Sequence, residues 1–375
     1  MTLDRRTLVK TGVVAAAAGG LAMPGAAQAA EAPQSTSDTD QPFVDQIITG
    51  ASWAARAPSG TPTLNTGTTQ KIVIHHTAYP NSVDYSVNQA IWLARDIQNL
   101  HMDRNGWLDS GQHFTVSRGG FVLEGRAGSL AALRGGTQQI VGAHSPGENG
   151  RAIGIENEGI YVEEAPPRTM LTALTALCVE ICRRYGLGAH VLFGHWDFRE
   201  TQCPGIEFYK LFPRVRRDVA HALGQRASTI PARTWPNVLS PSTGPVVRLA
   251  QYLLRTHGYP VQPTGTFDPT TVAAVNDFQV KHGMPAAGLG EVLGDTWDAL
   301  VPPLDAKSTG DAVLGLQSIL RPKGYAVELT GTFDEPTRDA VRKVQRLHGL
   351  ETIAKVDLAT WCAVAGGIVR QEFQR

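Results

Sequence analysis

The sequence predicts an α/β protein, a mixed central sheet flanked by helices, followed by two small helical modules. Two observations predict it. Segments with strand character interleave with segments of helical periodicity up to about residue 228, and beyond residue 245 the chain repeats itself 66 residues on.

From the N-terminus, Asp4-Arg5-Arg6-Thr7-Leu8-Val9-Lys10 precedes an apolar run from Gly12 to Met23, and Ala27-Gln28-Ala29 offers a small-residue cleavage site. This pattern resembles a twin-arginine export signal over residues 1–29, the apolar run being shorter than the roughly 20 residues that span a bilayer. Residues 30–42 are polar, Ala- and Pro-containing, and read as a disordered lead-in. A first domain follows over 43–228. Its strand candidates are residues 71–76, 112–117, 152–158 and 189–193, and its helical periodicity lies at 87–102 and 169–185.

Residues 227–245 hold four prolines and no sustained periodicity, which places a linker at 229–243. Two modules are then set at 244–303 and 304–372. Pro263-Thr264-Gly265-Thr266-Phe267-Asp268 returns as Leu329-Thr330-Gly331-Thr332-Phe333-Asp334, Gln251 as Gln317, and His282-Gly283 as His348-Gly349. Asp268 and Asp334 are good N-caps, Val275 and Phe278 or Val341 and Val344 supply apolar stripes, and Gly283 and Gly349 can end the helices. Trp297 and Trp361 are expected to close the two small cores.

At 375 residues the chain needs more than one core. Lys plus Arg equals Asp plus Glu, 34 each, so neither nucleic acid nor an anionic membrane is expected as a partner, and the mature chain is expected to be monomeric. Four cysteines do not make a disulfide framework. Cys178 and Cys182, four apart on one helix face, read as small core hydrophobes, and Cys362 as buried in a helical bundle.

The chemistry concentrates in three segments. His75 in KIVIHHTAYP, with His195 and Cys203 in FGHWDFRETQCPG, offers two imidazoles and one thiolate, a set that can hold a catalytic Zn2+ with one position left for water. Neighbouring strand residues face opposite sides, so only one of His75 and His76 can point into the cleft. In AIGIENEG (residues 152–159) Glu156 faces away from Ile153 and Ile155. It is either a general base for that water or a solvated charge on an edge strand.

The series IVIHHTA, GWLDSGQHF, GAHSPGENGRAIGIENEG and GHWDFRETQCPG resembles the zinc-dependent N-acetylmuramoyl-L-alanine amidases of the phage-lysozyme and peptidoglycan-recognition-protein family, over about residues 50–220. The resemblance implies hydrolysis of the amide between N-acetylmuramic acid and L-alanine in peptidoglycan. It places the zinc ligands on His75, His195 and Cys203, an oxyanion-stabilising hydroxyl on Thr201, and substrate contacts at Trp107, Gln112, His144 and Asn149. Gln112 stands where many relatives carry a catalytic tyrosine, and a glutamine cannot act as a base. The base role therefore passes to Glu156, which matches a glutamate in a similar Ile-Gly-Ile-Glu context in relatives.

The repeats are similar to the three-helix peptidoglycan-binding modules of wall hydrolases. Such modules are expected to concentrate the enzyme on its polymer without touching the chemistry, so loss of residues 240–375 would spare cleavage of small muropeptides. The second copy, with Ile353 to Asp357 in place of a glycine-rich turn, is expected to bind more weakly if a groove uses that turn. Two other readings stay open: a recognition protein that binds muropeptides without cutting them, and a cysteine hydrolase with Cys203 as nucleophile and His195 as base.

Overall fold

The structure, a computed structural model, describes residues 43–285 and 290–374. The expected signal peptide at 1–29 and lead-in at 30–42 lie outside the described residues. In chain order the elements are β1 (Leu64–Asn65), β2 (Lys71–His76), α1 (Val87–Asn99), β3 (Phe114–Val116), β4 (Val122–Glu124), α2 (Ser129–Gly135), β5 (Gln139–Ile140), β6 (Ala152–Asn157), α3 (Arg168–Tyr185), β7 (Leu192–Gly194), α4 (Ile206–Tyr209) and α5 (Phe212–Ala222). There follow β8 (Arg233–Thr234), α6 (Pro245–Thr256), α7 (Pro269–Lys281), α8 (Gly294–Leu300), α9 (Asp311–Leu320), α10 (Glu335–Leu347), α11 (Leu358–Val364) and β9 (Ile368–Val369). No described helix is long and apolar enough to cross a membrane.

The main sheet is mixed, in the order β4-β3-β6-β2-β7, with β4 antiparallel at one edge and the rest parallel. The four expected strands and both helices form. Expectation missed β4 and α2, whose apolar positions are too few to show a clear period, and α5, whose Phe212, Val215 and Val219 do carry a helical period. The helix from residue 87 also runs on past Asn99 as a π-helical turn over Leu100–Arg104.

Every residue of β2 is buried, because both of its faces are covered. One face, with Ile72, Ile74, Phe114, Val116, Ile153 and Ile155, packs against Leu174, Leu177 and Ile181 of α3 and Val215 and Val219 of α5. Each such side chain contributes about 1.5–3 kcal/mol on leaving water. The opposite face carries Val73, Ala152 and Phe193, which cluster with Phe198 and with Ile368 of the far C-terminal strand. Beyond Val73 the same face bears His75.

Both copies of the repeat form three helices. The caps are as expected: Asp268 accepts from Thr271 N at 2.8 Å and Asp334 from Thr337 N at 3.0 Å. The repeated glutamines pin the turn before each cap, Gln251 through Gly265 N and the Thr266 carbonyl, Gln317 through Gly331 N and the Thr332 carbonyl. Trp297 and Trp361 are fully buried and donate to the carbonyls of Pro236 and Pro302. All four cysteines are free and buried, consistent with core packing for Cys178, Cys182 and Cys362.

The linker and the tether do not behave as expected. Trp235 and Val238 join one hydrophobic cluster that runs continuously through both modules, and Arg233–Thr234 pairs with Ile368–Val369. The prolines of this stretch interrupt periodicity without exposing it, since its apolar side chains have a core to enter. The C-terminal segment then returns to the first domain, where buried Glu372 meets buried Arg216 at 3.1 Å and His348 at 2.6 Å. The modules are sealed to the first domain rather than tethered to it.

Candidate metal centre

In the parallel register of β2 and β6, His75 stands opposite Glu156, and Thr115 of β3 stands opposite Glu156 on its other side. Residues in register share a face, so His75, Glu156 and Thr115 line one side of the sheet near its carboxyl end. His76 points the other way. Its Nδ1 accepts from Tyr161 N at 3.4 Å and its ring bonds the Pro204 carbonyl, so it braces the loop that carries Cys203.

His195 begins a short 3-10 turn directly after β7, and Cys203 follows on the same loop. The ligand atoms of His75, His195 and Cys203 lie within 4.8 Å of one another, and the His75 and His195 ring centroids are 4.3 Å apart. The Cys203 sulfur accepts from His76 N at 3.2 Å. Burial pushes its thiol up, and burial brings His195 down to about 3, so both rings are neutral and can donate lone pairs.

The tautomer of His75 follows from its neighbours. Gly154 lacks a side chain where a Cβ would overlap the His144 ring, and His144 fills that space. With His144 Nε2 donating to the Ala152 carbonyl at 3.3 Å, its Nδ1 accepts from His75 Nε2 at 3.0 Å. The lone pair of His75 is thereby left on Nδ1. His195 Nε2 is buried with no hydrogen-bond partner. Two neutral imidazoles, one of them with an orphaned nitrogen, and a thiol in one small volume fit Zn2+, which takes nitrogen and sulfur ligands in fours.

Glu156 makes no hydrogen bond or ion pair with the described residues, and burial alone raises its carboxyl to about 8. A nearby dication would pull that value back toward neutrality, where a proton carrier works best. Thr201 Oγ1 accepts from Cys203 N at 3.1 Å, which leaves its own proton free to donate outward.

Residues 65–206 match the family described as N-acetylmuramoyl-L-alanine amidase, and residues 243–300 and 309–363 each match a peptidoglycan binding domain. The chain is 31% identical over 176 residues to peptidoglycan recognition protein 1 of Bos indicus, an alignment covering 46% of this chain and 86% of that one. The chain belongs to the peptidoglycan-recognition-protein and amidase family. Two other relatives are peptidoglycan-recognition protein LB of Drosophila melanogaster, 30% identical over 161 residues and 43% of this chain, and the N-acetylmuramoyl-L-alanine amidase of Sus scrofa, 30% identical over 179 residues and 46% of this chain. The alignments span 64% and 28% of those two relatives' own lengths.

The remaining candidates in this family member separate into two groups. His144 and Asn149 sit behind the ligands: His144 orients His75, and Asn149 Oδ1 accepts from His144 N and Ser145 N at 2.9 and 2.8 Å. Gln112 is 1% exposed and donates to Thr115 Oγ1 at 3.0 Å, its Oε1 lacking a partner. Trp107 is half-buried, its ring tilted against His101 with the centroids 4.6 Å apart. Sequence reasoning passed over His113, whose Nδ1 accepts from Gly154 N at 2.9 Å behind His144. Its place on the same strand face as Thr115 was the available signal.

His101 and His113 are each lowered to about 4, by burial first and also by Arg126. A ring whose folded value lies below its unfolded 6.5 contributes stability that is complete above pH 6.5 and is withdrawn as pH falls toward 4. At 1.36 kcal/mol per pH unit this is on the order of 3 kcal/mol per ring. The melting temperature of the metal-free protein is therefore expected to fall steeply between pH 6.5 and 4; a flat profile there would contradict the buried neutral rings.

Proposed function

We propose that this chain is a zinc-dependent N-acetylmuramoyl-L-alanine amidase that acts on peptidoglycan after export by the twin-arginine route. The observation that carries this reading is the convergence of His75, His195 and Cys203 beside an unpaired Glu156 on the same sheet face. His75, His195 and Cys203 would hold the zinc, which when bound acidifies water and polarises a carbonyl. Glu156 takes the proton of the attacking water as the lactyl carbonyl is opened and returns it to the departing alanine nitrogen. Thr201 donates to the oxygen that gains charge and half-buried Trp107 borders the substrate, while Gln112 and Thr115, each 1% exposed, support the site from within. Water adds to the carbonyl carbon and the C–N bond breaks, giving a free carboxylate on the sugar side and a free amine on the peptide.

A second reading, recognition without cleavage, is favoured by one observation: Gln112 occupies the tyrosine position and cannot serve as a base. Digestion of purified wall decides between them. Release of peptides with a free N-terminal L-alanine, abolished by a chelator and restored by zinc, is expected; binding without release would overturn the enzymatic reading. Glu156→Gln is expected to keep zinc and lose about a hundredfold or more in kcat, as a missing proton carrier does. A near-native rate for that variant would remove Glu156 from its role.

A further inference from the structure

We infer that the C-terminal modules hold the metal-bearing turn in its ligating shape, and that Lys323 is a positioning residue for His195. The inference rests on the metal reading above and extends it to residues outside the amidase domain.

The turn His195–Asp197 is closed by its own last residue: Asp197 Oδ2 accepts from Gly194 N at 2.8 Å. The other carboxylate oxygen faces the modules. Oδ1 accepts from Tyr209 OH at 2.6 Å, and Lys323 Nζ, from the segment after α9, lies 3.9 Å from it. Lys323 also reaches Tyr209 OH at 3.3 Å and donates to the Val364 carbonyl at 2.9 Å. Both Asp197 and Lys323 are buried, 0% and 5% exposed.

A buried ammonium needs a counter-charge close by, and among the described residues Asp197 is the carboxylate paired with Lys323. Gly366 completes the enclosure. Its φ of +93° suits glycine, and a Cβ there would overlap Asp197 Oδ1, so the end of the second module is shaped around this carboxylate. The first module grips the same loop five residues past His195. Arg248 meets Glu200 at 2.7 Å, and the Gly244 backbone lies so close to Arg199 and Glu200 that a side chain there would collide with them. Two module contacts thus bracket the loop between the two ligands it supplies. Orienting groups behind metal ligands of this kind set metal affinity without touching the metal.

The test uses the full chain with cobalt(II) as the probe, read by the sulfur-to-cobalt charge-transfer band and by competition with a chromophoric chelator. Lys323→Met is expected to weaken cobalt affinity by about 10- to 100-fold and to alter the ligand-field bands. Leu316→Ala, in the module core and not among the loop contacts named above, is expected to lower the melting temperature while leaving affinity and spectrum unchanged. Lys323→Met added to Asp197→Asn is expected to cost little beyond Asp197→Asn alone, because both act through one contact. If Lys323→Met does not fold, Lys323→Gln keeps a donor for the Val364 carbonyl, drops only the charge, and is read the same way. Wild-type affinity and spectrum in the Lys323 variant, or an equal loss in Leu316→Ala, would overturn the inference while leaving the metal centre intact. Absence of the charge-transfer band from the wild-type chain would remove the metal reading itself, and the inference with it.

Discussion

Cys203→Ala is expected to abolish stoichiometric zinc and to bring wall digestion to background, and His75→Ala to do the same. The three donors converge within 4.8 Å, and no other His, Cys or carboxylate among the described residues joins the group to replace a lost one. Removing the sulfur takes away the one ligand that is anionic when bound, so the ion is lost, and with the ion goes the field that acidifies water and polarises the substrate carbonyl. Lewis-acid assistance amounts to several kcal/mol, so the rate is expected to fall by about a thousandfold or more. Metal analysis alongside the assay separates this from a cysteine hydrolase. In that case Cys203→Ala would be inactive yet the wild-type enzyme would carry no zinc and resist chelators. Full activity in Cys203→Ala would defeat both accounts.

Deletion of residues 240–375 is expected to leave no stably folded amidase domain, contrary to what a tethered arrangement would give. Ile368 covers the sheet face of Val73, Ala152 and Phe193, and Glu372 neutralises Arg216, which is 1% exposed and also donates to the Leu192 carbonyl at the head of β7. The deletion takes away the carboxylate and the segment that cover this guanidinium. The exposed apolar face adds to this, against a total stability of roughly 5–15 kcal/mol for a domain. Loss of the cooperative thermal transition and of cleavage of small soluble muropeptides is the expected result. A truncated chain that melts cooperatively and cuts a small muropeptide at the intact rate would show that the interface is dispensable.

The sheet was legible because its signals are local, whereas the set His75, His195 and Cys203 lies far apart in the chain and was suggested by its residue types and by the family resemblance. The run KIVIHH names a buried strand by its length and β-branched content, and the parity of β2 already separates His75 from His76. Alternation put Glu156 on the face opposite Ile153 and Ile155, and the base role proposed for it came from the resemblance. What could not be read was long-range. Lys323 and Glu372 look like solvated charges within their own modules, and only the fold brings them to Asp197 and Arg216. His144 was visible as a candidate but its role was not, since it depends on the space left by Gly154. The Pro-rich stretch at 229–243 misled for the same reason: its local punctuation was read correctly, while the core awaiting Trp235 lies more than sixty residues away around Trp297, whose ring stacks on it at 5.4 Å.

The shared core of the two modules and their seal onto the sheet leave no slack between grip and blade. A hydrolase on a flexible leash sweeps a volume around each anchorage, whereas a one-piece tool meets only those stems that the mesh presents at one offset and tilt. On the proposed activity, cutting of intact sacculi is expected to be governed by the spacing of glycan strands and by how often the chain lets go, so that stretched or loosened mesh is trimmed at a different rate from relaxed mesh of identical chemistry.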